Sequence, residues 1–284
     1  VSSGSLYIVA TPIGNLADAS PRALEALARA DLIACEDTRT SRTLLARHGI
    51  SVRVVPLHEH NERGATARLL SALAAGKTIA LVSDAGTPTV SDPGALLVAA
   101  AHQAGVRVVP VPGPSAALAA FSASGFSADR FLFVGFLPSA RAARRKALHV
   151  LEAACPIILY EAPHRIADTV EDLAERFGGA RELLIARELT KKFEEIVRLP
   201  LAEARDWLHA DPHRQQGEFV LVLGPDPSPR APDEAQAERV LGILLDALPA
   251  SAAAKLAARI TGAPRKVLYE RALQLAGKTR ARGG

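Results

Sequence analysis

The chain contains no methionine, one tryptophan and two cysteines, and aromatic residues fill only 4% of its 284 positions. Cys35 and Cys155 are too few and too far apart to frame a disulfide-stapled fold, and no Cys-x-x-Cys pair or His/Cys cluster offers a metal site. No uninterrupted apolar run reaches the length of a membrane-spanning helix. Val1-Ser2-Ser3-Gly4-Ser5 has the design of neither a signal peptide nor a transit peptide and reads as a disordered start, while the lack of Met fits a processed or trimmed end. The cytoplasm is the default compartment. The phosphate-binding patterns G-x-G-x-x-G and G-x-x-x-x-G-K-[ST] are missing as well, which removes most support for nucleotide-phosphate chemistry.

What is present is ordinary in bulk, with 49% hydrophobic and 23% charged residues, as in a water-soluble globular protein. Its length favours two domains with a small appendage. The net charge of +4 is unevenly placed: Ser251 to Gly284 holds eight Lys/Arg against the single Glu270, so the remainder is mildly acidic. A second basic cluster comprises Arg141, Arg144, Arg145 and Lys146. Lone charge runs are usually solvated faces, but two clusters on a mildly acidic chain point to a polyanionic partner. With so few aromatics, recognition of a nucleic acid would rest on charge and shape rather than stacking.

Strands and helices alternate, and strand after strand ends in an odd loop. Leu6–Ala10 runs into Thr11-Pro12-Ile13-Gly14-Asn15, and Asp31–Cys35 into Glu36-Asp37-Thr38-Arg39. Ile79–Val82 runs into a breaker-rich loop from Ser83 to Gly94, and Val106–Pro110 into Val111-Pro112-Gly113-Pro114-Ser115-Ala116. Asp92 is the expected N-cap of the next helix and Pro93 its first residue. The pattern implies βαβ units, a mostly parallel first sheet and a cleft along the strands' carboxyl edge. A second α/β unit begins near Phe131; its strands run into Glu161-Ala162-Pro163-His164-Arg165 and Arg187-Glu188-Leu189-Thr190-Lys191-Lys192, and Gly217 to Pro225 reads as its closing strand. The expected domains are 1–122, 123–226 and, after a Pro-rich linker, a basic helical tail at 233–284. There, two helices around Thr261-Gly262-Ala263-Pro264 resemble a helix-turn-helix unit, with a capping helical hairpin as the plainer reading.

Loops that grip a ligand without a phosphate nest suit a cation, because helix N-termini favour anions. The motifs Thr11–Leu16, Glu36–Arg39, Ser83–Pro88, Asp92–Gly94, Pro112–Ala116, Tyr160–Arg165 and Arg187–Lys191 occur in the order and spacing of the tetrapyrrole-methylase-like family, and the chain resembles its RNA-acting branch. The resemblance implies two α/β domains, the second with a mixed sheet, a helical appendage, a homodimer, and S-adenosylmethionine in the cleft as methyl donor, with no metal. It implies methylation of the ribose 2′-hydroxyl of a cytidine in the decoding region of small-subunit (16S) ribosomal RNA. By position, the cofactor would contact Pro12, Gly14, Asp84, Ala85, Gly86, Thr87, Val90, Ser115, Ala116, Tyr160, Leu189 and Glu218. Where porphyrin-modifying relatives carry a Gly-Asp-Pro loop, this chain has Ala85-Gly86-Thr87-Pro88, which speaks against a tetrapyrrole substrate.

A ribose hydroxyl is a poor nucleophile, so a base or an alkoxide-stabilising cation would help. Glu161, Glu188 and Asp84 are candidate bases and Lys191 a candidate stabiliser; Arg39, Arg42, Arg165 and Lys192 are assigned to RNA phosphates. Plainer readings stand beside these. Asp84 could cap its own loop, Glu36 and Arg39 could be a surface ion pair, Lys191-Lys192 with Glu194-Glu195 could be a self-compensating charge run, and Trp207 is expected in the core. Two other functions compete: a tetrapyrrole-type small-molecule methyltransferase, and a ribosome-associated module without catalysis.

Overall fold

The computed structural model describes residues 4–151, 154–226 and 234–280, with side chains for all of these except 234–236 and 276–280. Val1–Ser3 of the expected disordered start and most of the Pro-rich linker lie outside the described residues; for Gly4 and Ser5 the expectation is corrected, since the buried Gly4 amide donates to the Leu73 carbonyl at 2.9 Å and Ser5 opens the first strand. The chain divides into two compact units, Val1–Pro225 and Asp226–Gly284.

The larger unit holds two five-stranded sheets. The first comprises β1 (Ser5–Val9), β2 (Leu32–Cys35), β3 (Val54–Pro56), β4 (Ile79–Leu81) and β5 (Arg107–Val111). Helices α1 (Pro21–Arg29), α2 (Thr38–Arg47), α3 (Glu62–Ala74) and α4 (Ala95–Gln103) connect them. The strand order is β3-β2-β4-β1-β5 and every pairing is parallel, so the sheet expected to be mostly parallel is wholly so. Side-chain alternation explains why these strands read as unbroken apolar runs. Ile79 and Leu81 pack with Leu69, Leu73 and Leu97 on one face, while Ala80 and Val82 pack with Leu27, Leu44 and Leu45 on the other.

The order also locates a crevice. From β1 the chain crosses through α1 to β2, and from β4 it crosses through α4 to β5, so these adjacent strands send their connections in opposite directions. Such a switch point opens a gap at the strands' carboxyl ends.

One helix start differs from expectation. Helix α4 begins at Ala95 with Gly94 as N-cap, and Glu62 on α3, rather than Asp92, accepts from the Gly94 and Leu96 amides at 2.8 and 3.1 Å. A carboxylate from the neighbouring helix meets the free amides, which leaves Asp92 for another environment.

Helix α5 (Ala116–Ser124) follows β5 and leads to the second sheet. This sheet comprises β6 (Leu132–Phe136), β7 (Ile157–Glu161), β8 (Glu182–Arg187), β9 (Glu195–Pro200) and, last in sequence, β10 (Phe219–Leu223), with α6 (Arg141–His149), α7 (Ile166–Phe177) and α8 (Leu201–His209) between them. Its order is β6-β7-β10-β8-β9; β6 and β7 are parallel and the other pairs antiparallel, a mixed sheet as expected. One face packs on α7 and α8 through Ile157, Leu159, Ile185 and Leu221. The other face, with Ile158, Leu184, Ala186, Val220 and Val222, packs on Ala117 and Ala120 of α5 and on Ile13 of the loop after β1. Trp207 is partly buried against the first of these faces, as expected.

The mid-chain basic cluster is not a free surface. Asp172 on α7 is 1% exposed and meets Arg144 at 2.7 Å, Arg145 at 2.8 Å and Arg141 at 3.2 Å. Burial raises its pKa, but the three guanidiniums outweigh that and hold it low. The expectation of a polyanion site here is therefore corrected: three of the four cations serve a buried carboxylate.

The smaller unit contains α9 (Glu234–Leu245), α10 (Ala250–Thr261) and α11 (Arg265–Arg280), joined through Leu241, Ala253, Ala257, Leu268 and Ala272. Gly262 ends α10 in the left-handed conformation, at φ 74°, as the turn of a helix-turn-helix requires. Among the described residues no helix is long and apolar enough to cross a membrane.

Candidate active site

The loops leaving the first sheet are tied to one another. Thr11 and Gly86 form an antiparallel bridge, the Thr11 amide donating to the Gly86 carbonyl at 2.9 Å and the Gly86 amide to the Thr11 carbonyl at 3.1 Å. The Asp37 amide donates to Asp84 Oδ1 at 2.9 Å, which couples the loop after β2 to the loop after β4. Thr87 Oγ1 donates to the Pro114 carbonyl at 3.1 Å and joins the loop after β5. From the second sheet, the Tyr160 hydroxyl accepts from the Ala117 amide at 3.3 Å. Loops far apart in sequence thus close around one space.

That space is a cavity of about 340 Å³, within the range of small-molecule sites. Its wall combines the Asp84–Thr87 turn with Val90, Ser91 and Asp92, the Ser115-Ala116 start of α5, and Phe136, Tyr160, Leu189 and Phe219. Among the described residues four charged side chains border it, Asp84, Asp92, Glu161 and Glu218, and all are carboxylates. Burial, with Glu36 and Asp84 nearby, pushes Asp92 up to about 6, although a hydrogen bond with Ser83 opposes the shift. Burial and Asp84 raise Glu36 too. A wall of this kind favours a cation with an apolar body and disfavours a phosphate.

Backbone strain collects in the same loops. Thr89, Ser91, Glu188 and Thr190 adopt positive φ of 70°, 66°, 51° and 65°. Such conformations persist only where their surroundings enforce them, and they concentrate at binding sites. Gly14 meets the strained loop between β8 and β9 so closely that a Cβ there would lie 2.5 Å from Lys191 Cγ. At the rim, Lys191 Nζ reaches Glu188 Oε1 at 2.9 Å and Glu218 Oε2 at 3.0 Å. Burial raises the Glu188 pKa, but bonds from Lys191 and the Glu218 amide outweigh it and hold the carboxyl below its usual range.

Residues 5–205 match the model of the tetrapyrrole (corrin/porphyrin) methylases, and 231–276 match that of the RsmI C-terminal HTH domain. The chain belongs to the tetrapyrrole methylase family. This methylase is similar to the ribosomal RNA small subunit methyltransferase I of Pseudomonas aeruginosa, 49% identical over 98% of this chain and 100% of the relative. The protein of the same name from Escherichia coli O157:H7 is 47% identical over 97% of each chain. In fold, the methylase resembles the uroporphyrin-III C-methyl transferase of Thermus thermophilus complexed with S-adenyl homocysteine, with a TM-score of 0.53, 19% identity, and coverage of 78% of this chain and 97% of that one.

The methylase cavity gathers Asp84, Ala85, Gly86, Thr87, Val90, Ser115, Ala116, Tyr160, Leu189 and Glu218, all named from sequence. Pro12 and Gly14 do not border it; their neighbour Ile13 does, while Pro12 lines a separate pocket and Gly14 packs on Lys191. Glu161 borders the cavity but is committed elsewhere. At 2% exposed, it accepts from Arg165 Nε and the Ala162 amide, each at 2.8 Å, and from Thr169 Oγ1 at 2.6 Å. The readings of Glu161 as base and Arg165 as phosphate contact are therefore corrected: each neutralises the other at the start of α7. Arg39 pairs with Asp37 rather than Glu36, and its side chain is 87% exposed. Arg42 and Lys192 are exposed. Asp84 caps the neighbouring loop rather than its own, and still faces the cavity. Asp92 escaped sequence reasoning because a carboxylate before Pro-Gly has the pattern of a helix cap; Phe136 carried no signal.

Proposed function

We propose that this chain is an S-adenosylmethionine-dependent methyltransferase acting on the ribose 2′-hydroxyl of a cytidine in the decoding region of small-subunit ribosomal RNA. The observation that carries the reading is the meeting of a cavity walled by carboxylates with full-length similarity to proteins named ribosomal RNA small subunit methyltransferase I. When bound, the cofactor supplies an electrophilic methyl group on a cationic sulfur. Asp84 and Glu218 balance that charge, the Ala85–Thr87 turn and Ser115-Ala116 offer backbone polar groups, and Tyr160, Phe136 and Leu189 enclose the apolar surface. The fit rests on the absence of any Lys, Arg or His from the cavity wall among the described residues.

Methyl transfer needs the hydroxyl held in line and its proton removed as the oxygen–carbon bond forms. Asp92 is the acceptor best suited to that proton, since burial raises its basicity while it still faces the cavity. Lys191 positions Glu218 at the rim. Arg39, Arg42 and Lys192 lie outside the cavity as contacts for RNA phosphates. We assign the protein to the cytoplasm as a homodimer, with light scattering as the check on the second point.

The test is transfer of labelled methyl from S-adenosylmethionine to small ribosomal subunits from a strain lacking the gene. The expected product is one 2′-O-methylated cytidine. Label elsewhere, or none despite cofactor binding, would sink the assignment.

A further inference from the structure

Beside the acidic cavity lies a groove of opposite character. It is an open depression of about 850 Å³ between the loop after β1, the C-terminal end of α2 and the loop between β8 and β9. Among the described residues its charged and titratable lining is Arg47, His48, Lys191 and Lys192, with no carboxylate. Helix α2 carries three arginines and no acidic residue. Among the described residues Arg47, His48 and Lys192 take part in no ion pair, whereas Lys191 is held by Glu188 and Glu218 at the cavity rim.

Next to Lys192, Phe193 is 64% exposed, and the Lys192 ammonium lies 5.4 Å from its ring centroid. Phe193 stands out in water on the loop that carries the positive-φ residues Glu188 and Thr190, with a ring face open to a flat partner. Unpaired cations beside an exposed ring match the chemistry of an unstacked RNA strand: phosphates for the cations, a base face for the ring.

We infer that this groove is the track of the RNA backbone, with phosphates bound by Arg47 and Lys192 and a base next to the target nucleotide stacked on Phe193. The inference rests on the reading of RNA as substrate and names the surface that holds it. Lys191 is the hinge between the two sites, since the loop that presents Lys192 and Phe193 to RNA also fixes Glu218 at the cavity mouth.

The test uses the full-length protein carrying Arg47→Glu, Lys192→Glu or Phe193→Ala, with undermodified small ribosomal subunits as substrate and S-adenosylhomocysteine binding by calorimetry as the check on folding. Each charge reversal should raise the KM for subunits about tenfold or more, and neutral Arg47→Ala should flatten the salt dependence of RNA binding by about one unit of slope. Phe193→Ala should weaken RNA binding about tenfold without altering that slope. Cofactor affinity should stay within about twofold throughout. Unchanged KM and slope in variants that bind cofactor, with an active wild type, would overturn the groove alone. A wild type that binds cofactor but neither binds nor methylates RNA would remove the broader reading and the groove with it.

Discussion

Thr11 and Gly86 exchange both backbone hydrogen bonds, at 2.9 and 3.1 Å, across the gap between the carboxyl ends of β1 and β4. The bridge holds the turn after β4 against the loop after β1, so the cavity wall is set by backbone pairing before any ligand arrives.

That geometry needs residue 86 at φ 80°, and a Cβ there would lie 3.4 Å from Ile13 Cγ2. Gly86→Val places a β-branched side chain in the left-handed region, a cost of about 1–3 kcal/mol. Urea unfolding should record that loss, and calorimetry with S-adenosylhomocysteine a Kd raised about tenfold or more. Wild-type affinity in the variant would show that the turn does not shape the site.

Tyr160 performs a task that Ser115 does not. Ser115 is the N-cap of α5 yet makes no side-chain cap bond, and the Ala117 amide is met by the Tyr160 hydroxyl at 3.3 Å. Burial raises the phenol's pKa, so it stays neutral. Tyr160→Phe should lower stability by about 1 kcal/mol and loosen cofactor binding several-fold, because the hydroxyl joins the two walls of the cavity. Loss of stability with intact affinity would confine Tyr160 to the core.

Glu161 and Arg165 provide a test that separates holding from chemistry. Glu161→Ala leaves Arg165 and Thr169 without their partner and should cost about 3–5 kcal/mol in urea unfolding. The double variant Glu161→Ala/Arg165→Ala should be less destabilised than the sum of the single variants, since no buried charge is stranded. Additive losses would mean that the pair is not a unit.

Much of this architecture was legible because strand interiors and breaker-rich loops have local signatures. Ile79–Val82 is apolar on both faces, and Ser83–Gly94 holds too many breakers for a turn, so strand, loop and site were read from adjacent residues. Commitments made over long sequence distances were not legible. Glu62 caps a helix 32 positions away, and Asp172 collects arginines from 27 to 31 positions away; Glu161 differs, its partners Arg165 and Thr169 lying four and eight positions on, but its burial against them shows only in the fold. A carboxylate that serves a buried arginine has the same local sequence as one free for chemistry. Hence Glu161 and Arg165 were read as chemical groups, the Arg141–Lys146 cluster as an open surface, and Asp92 as a cap.

Asp92 offers the sharpest pH test. Its folded-state pKa of about 6 stands above the unfolded value near 3.8, so between these values the folded protein binds the extra proton. Stability therefore falls as pH rises from about 4 to 6 and levels off above, by about 1–2 kcal/mol once solvent screening of this half-buried group is allowed for. Asp92→Asn should remove that slope and be the more stable protein at neutral pH. Cofactor binding should run the other way, because a sulfonium in the cavity favours the carboxylate: affinity for S-adenosylmethionine should rise as pH increases through about 6, with a proton released on binding below it. Calorimetry in buffers of different ionisation enthalpy reads that proton directly. In Asp92→Asn the proton release should vanish and the pH dependence of affinity flatten, while methyl transfer at neutral pH falls by about a hundredfold if Asp92 accepts the ribose proton. Undiminished transfer would assign the proton to another group, and undiminished proton release would move the titration away from Asp92.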